Sequence, residues 1–123
     1  MSDVRQARLL KLVDAPGGSD QAFVDALVKR RLILEELKRN PPPEPPPAAL
    51  DARQRQWEST IGTSADLAAL LTRAGMTQAS VRNWLREDLR IGAYLDQRFP
   101  AAGDRAAAIA TWVGELRQRA GIR

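Results

Sequence analysis

Apolar side chains recur along this chain at intervals of three and four residues, and no stretch alternates with period two. The pattern predicts helices. Breakers divide the chain into six of them: Pro16 with Gly17 and Gly18, the proline run 41–47, Gly62, Gly75, and Pro100 with Gly103. The first helix is expected over 2–13, capped by Ser2 or Asp3 and apolar at Val4, Leu9, Leu12 and Val13. The second is expected from a Ser19 or Asp20 cap to Arg39. It lays Phe23, Leu27, Leu34 and Leu37 along one stripe, with Val24, Val28 and Ile33 beside it. Lys29, Arg30 and Arg31 interrupt that helix, and Glu35 and Glu36 follow at helical spacing, which reads as charge pairing on a wet face.

The run PPPEPPP, 41–47, has fixed φ angles and too few N–H donors for a ladder. It predicts an exposed polyproline II strut of roughly 20 Å separating the second and third helices, with docking of an SH3-type domain as the sharper alternative. The third helix, 48–61, carries only Leu50, Trp57 and Ile61 on its apolar side, a thin stripe expected to find few partners. The fourth, capped by Thr63 or Ser64, packs Leu67, Leu70 and Leu71 and ends at Gly75 in a left-handed turn. The fifth runs from Thr77 to Phe99 through Gly92, about 33 Å long, and presents Val81, Trp84, Leu85, Ile91, Leu95 and Phe99. The sixth, 104–120, shows Ile109, Trp112, Val113 and Leu116; Gly121 stops it, and Ile122 could open an extended segment.

With 123 residues, 44% of them hydrophobic and 28% charged, the chain has the make-up of one globular domain. Aromatic residues are only 5%, consistent with an all-α fold. Cys and His are both absent, which removes thiol nucleophiles, disulfides, Cys/His zinc sites and every His-based general-base arrangement. The adjacent acids Glu35 with Glu36 and Glu87 with Asp88 point about 100° apart on a helix, so they cannot flank one bond and read as solvated or ion-paired surface. Tyr94, the single phenol, reads as core or rim. No catalytic constellation, metal cluster or cofactor loop emerges, and no enzyme activity is expected.

Net charge is +4, from 19 Lys and Arg against 15 Asp and Glu, with the signs interspersed. No window is apolar enough for a membrane span, and MSDVRQARLL is too charged for a secretory signal. One segment, 67–87, has the outline of a helix-turn-helix, with Val81 and Trp84 inward and Gln78, Arg82, Asn83 and Arg86 outward. Bulky Leu71 at the expected helix crossing, the length of the fifth helix and the acids Glu87, Asp88 and Asp96 on it all count against DNA binding.

Four segments together carry a family resemblance: SDVRQARLL at 2–10, ALVKRRLILEEL at 26–37, AGMTQASVRNWLREDLRIGAYLDQRF at 74–99 and WVGELRQRAGI at 112–122. In this order the chain resembles the N-terminal chaperone domain of SurA-type periplasmic foldases, which are associated with peptidyl-prolyl isomerases. The resemblance implies a helical domain that holds unfolded outer-membrane or secreted polypeptides in an apolar cleft without ATP or other cofactor, in the periplasm. Only a few residues separate Phe99 from Asp104, where such proteins often carry a parvulin domain, so no isomerase activity is expected. Family members also begin with a signal peptide and a short strand that are expected to be missing ahead of Met1. Client contacts are expected at Trp57 and Ile61, on the premise of an apolar face left over on the third helix, and at Met76, which with Trp57, Trp84, Phe99 and Trp112 could line a groove. A helical homodimerisation or interaction module is the remaining reading.

Overall fold

Hydroxyl side chains open three of the helices. Ser19, Thr63 and Thr77 each accept the backbone N–H of the residue three further on, and Thr63 with Asp66 and Thr77 with Ser80 close reciprocal capping boxes. The computed structural model describes residues 3–100 and 103–121 and contains, among these, six α-helices and no strand. They are α1 (Asp3–Leu10), α2 (Asp20–Arg39), α3 (Pro47–Ile61), α4 (Ser64–Ala74), α5 (Gln78–Arg98) and α6 (Arg105–Arg119). The fold is all-α, as the spacing of apolar positions implies. The extended tail expected from Ile122 and the expected Ser2 cap lie outside the described residues.

The first boundary differs from expectation. Helix α1 stops at Leu10 because Lys11 takes a left-handed φ of 51°, and the Leu12 N–H turns back to the Ala7 carbonyl at 3.0 Å. In a continuous helix Leu10 and Leu12 would point about 200° apart. The break lets both enter one core, where each is buried. The freed carbonyls are met by indoles: Trp57 Nε1 donates to Leu10 O at 2.7 Å and Trp84 Nε1 to Leu12 O at 3.3 Å.

Two hydrophobic cores result, strung along the two long helices. The larger gathers Ala7, Leu10, Leu12, Phe23, Leu50, Trp57, Leu67, Leu71, Ala74, Val81 and Leu85, from α1 and the turn after it, α3, α4 and the first halves of α2 and α5. The second joins Ile33, Leu37, Tyr94, Trp112, Val113 and Leu116, where α6 closes over the far ends of α2 and α5. Tyr94 stacks on Trp112 with ring centroids 5.8 Å apart, and Phe99 tilts against the same indole at 5.5 Å.

Most of the proline run is exposed, at Pro41, Pro43, Glu44, Pro46 and Pro47, as the sequence predicts, but it does not stand clear of the helices. Residues 41–46 have no regular hydrogen-bonded structure, Pro46 serves as N-cap in extended geometry, and Pro47 is already the first residue of α3, where a missing N–H costs nothing. Pro42 is buried and Pro45 half-buried. Pro43, Pro45 and Pro46 line a shallow cleft with Leu89, Gly92 and Ala93, so the run lies beside α5, and Glu44 forms an ion pair with Arg86.

A candidate apolar groove along α2

Helix α2 carries more apolar surface than its neighbours cover. Phe23, Ile33 and Leu37 are buried, whereas Leu27, Val28 and Leu34 are only partly so, and Val24, at 40% exposure, is the one large hydrophobic residue left open among the described residues. These four line an open groove of about 430 Å³. Val4 of α1 and Trp84 of α5 complete its apolar wall, with Asp3 at the α1 end and Arg30, Arg31 and Glu87 towards the other. A second hollow of about 260 Å³ shares Arg31, Leu34 and Glu87 with the first and adds Glu35, Lys38 and Arg90. The two form one trough between α2 and α5. Val24, Val28, Arg31, Glu35 and Lys38 follow one another three or four residues apart, so a single row on α2 is apolar in its first half and charged in its second.

Arg30 braces the trough from beneath. It stands in the row Phe23, Leu27, Arg30, Leu34, Leu37, which is the inward stripe itself, and its side chain is only 10% exposed. Its guanidinium lies 3.9 Å from the Trp84 ring centroid, donates to the Trp84 carbonyl at 3.0 Å, and pairs with Glu87 at 3.2 Å and with Asp88. Arg53 of α3 approaches Asp88 at 3.6 Å. Burial raises the Asp88 carboxyl above its ordinary value, and Arg30 and Arg53 pull it back down. One residue thereby joins α2 to α5, and the shared carboxylate joins both to α3. The wet-face reading of Arg30 is corrected here: its partners are across the helix interface, not at i+4. Lys38 with Glu35 and Arg39 with Glu36 do form pairs within the helix, at spacing three. The acids Glu87 and Asp88 are ion-paired, but half-buried between helices instead of solvated.

Trp57, Ile61 and Met76, the residues expected to contact clients, do not line this trough. Trp57 is 3% exposed and its ring is part of the larger core; Ile61 and Met76 are half-buried against the same core. The premise of an unpartnered face on α3 is not met, because α1, α4 and α5 supply partners that a single-helix stripe cannot reveal. The groove residues Val24 and Val28 and the brace Arg30 were legible only indirectly. Their signal is an apolar band on α2 wider than one neighbour covers, with a cation standing on its central row.

Helices α4 and α5 follow one another across a short turn in which Gly75 takes a φ of 68°. The outward cations of the helix-turn-helix reading are engaged within the domain: Arg82 contacts Gln54 at 2.6 Å and Asp51 at 2.9 Å, Arg86 contacts Glu44, and Asn83 donates to Glu87 at 3.1 Å. No group of His, Cys, Asp and Glu suited to a metal ion occurs among the described residues. No described helix is long and apolar enough to cross a membrane.

Comparison with family models, with curated proteins and with solved structures finds no match to this chain.

Proposed function

We propose that this domain binds extended, apolar segments of unfolded polypeptides in the α2 groove and so acts as an ATP-independent holding chaperone. The observation that carries the reading is the open apolar band of Val24, Leu27, Val28 and Leu34, walled by Val4 and Trp84. Contact with a client would remove this surface from water at about 25 cal/mol per Å². The client also loses conformational freedom, so affinity should be weak, near micromolar. The floor belongs to one helix braced by Arg30, which keeps the groove formed before a client arrives. The resemblance to SurA-type chaperone domains supports unfolded outer-membrane or secreted chains as the client class and the periplasm as the compartment. DNA binding is the weaker reading, since Arg82 and Arg86 already hold partners from α3 and the proline run.

Light scattering from a denatured outer-membrane protein diluted into buffer tests the proposal. The domain at several-fold excess should slow aggregation without nucleotide. Val24→Asp combined with Val28→Asp should abolish that effect while circular dichroism stays helical, because both side chains are at least partly open to solvent. Absence of protection by wild type, or equal protection by the double variant, would refute the groove as the client site.

A further inference from the structure

We infer that the groove selects for charge as well as for apolar character: its preferred occupant is an extended apolar segment followed, one to three residues on, by a carboxylate. The inference rests on the groove's being a polypeptide site, and it concerns which polypeptides enter.

Charge complementarity carries it. The trough contains Asp3 at the α1 end and, at the α6 end, the charges Arg30, Arg31, Glu35, Lys38, Glu87 and Arg90. Most of the second group are already balanced: Lys38 by Glu35, and Arg30 together with Arg53 of α3 by Glu87 and Asp88. Arg31 and Arg90 remain. Neither has an ion pair or hydrogen-bond partner among the described residues, and the Nε of Arg90 is buried with no acceptor. That Nε is closed to an incoming group, but the terminal nitrogens of Arg90 are not, and a carboxylate is the acceptor that fits a guanidinium best. The apolar floor at Val24 and Val28 and the cation at Arg31 are one to two helical turns apart along α2, roughly 5–10 Å. An extended chain covers that distance in about two or three residues at 3.3 Å each. Asp3 disfavours an acid at the opposite mouth, so the two ends of the trough also set the direction in which such a segment lies.

Fluorescence anisotropy with two capped, labelled peptides tests this. One alternates Gly with Phe and Leu and ends in two Glu; its twin ends in two Gln. At low salt the Glu peptide should bind wild type about three- to tenfold more tightly, less than a fully buried pair gives because Arg31 is exposed. High salt should erase most of that gap. Arg31→Gln combined with Arg90→Gln should bring the Glu peptide down to the affinity of the Gln peptide and leave the Gln peptide unchanged. Arg31→Gln alone, at an exposed position that folding does not require, should remove part of the preference. Equal binding of both peptides to wild type overturns the charge selection and leaves the polypeptide groove standing. Failure of both peptides to bind overturns the two together. A preference that survives in the double variant, or self-association of the protein that displaces the peptides and identifies a second copy as occupant, also overturns the inference.

Discussion

The guanidinium carbon of Arg30 lies 3.9 Å from the ring centroid of Trp84 while its nitrogens hold Glu87 and Asp88 on the next turn of the same helix. One α2 side chain thus satisfies a π-face, a carbonyl and two carboxylates of α5, and the groove wall depends on it. Replacing it by Leu keeps the stack's bulk and strands two half-buried carboxylates, with only Arg53 left near Asp88. Urea unfolding of Arg30→Leu should show a loss of about 2–3 kcal/mol, below the value for a fully buried pair because Glu87 and Asp88 are partly wet. Arg30→Lys should recover little of it, since an ammonium can neither stack flat nor bridge two carboxylates.

Asp88 also gives stability a pH dependence of unusual sign for an ion-paired acid. Burial, the dominant influence, raises its carboxyl, and Arg30 offsets this in part. The folded state therefore binds the proton more tightly than the unfolded chain does. This contribution to stability is present at low pH and is lost as pH rises from about 4 through the raised value. In Asp88→Asn it should disappear. Chemical unfolding at a series of pH values should show the stability of wild type relative to the Asn variant declining as pH rises across that window and then levelling. A rising difference would mean that the Arg30 pair, not burial, dominates.

Two buried tryptophans offer a matched comparison. Trp57 donates to the Leu10 carbonyl at 2.7 Å, whereas Trp112 Nε1 is buried with no acceptor among the described residues. Trp57→Phe leaves a buried carbonyl unpaired, and Trp112→Phe removes an unpaired donor. Both lose some packing, but thermal or urea unfolding should place Trp57→Phe about 1–2 kcal/mol below Trp112→Phe.

Backbone conformation separates glycines that are required from one that is not. Gly92 is helical within α5, and a Cβ built there meets nothing within 4 Å, so Gly92→Ala should stabilise the domain by about 0.5–1 kcal/mol. Gly75 has equal space but a φ of 68°, and Gly75→Ala should cost about 1 kcal/mol through strain alone. Lys11, at a φ of 51°, is the converse case: Lys11→Gly should be neutral to mildly stabilising, which differential scanning calorimetry can resolve.

Period and punctuation, both local properties, determined most of the architecture from residue order alone. Five of the six helices begin and end within a residue or so of where their caps and breakers put them, because a Thr hydroxyl, a proline ring or a glycine φ acts on its own few residues. Tertiary packing decided the rest. Helix α1 ended early so that Leu10 and Leu12 could share a core, at the expense of a strained Lys11. The proline run came to lie beside α5, and Trp57 and Ile61 found partners on helices distant in sequence. Arg30 looks like any surface cation in a charged stretch until Trp84, Glu87 and Asp88, more than fifty residues away, are brought to it. The groove is likewise a remainder, the part of α2 that no other described helix covers, and a remainder exists only once every neighbour has taken its place.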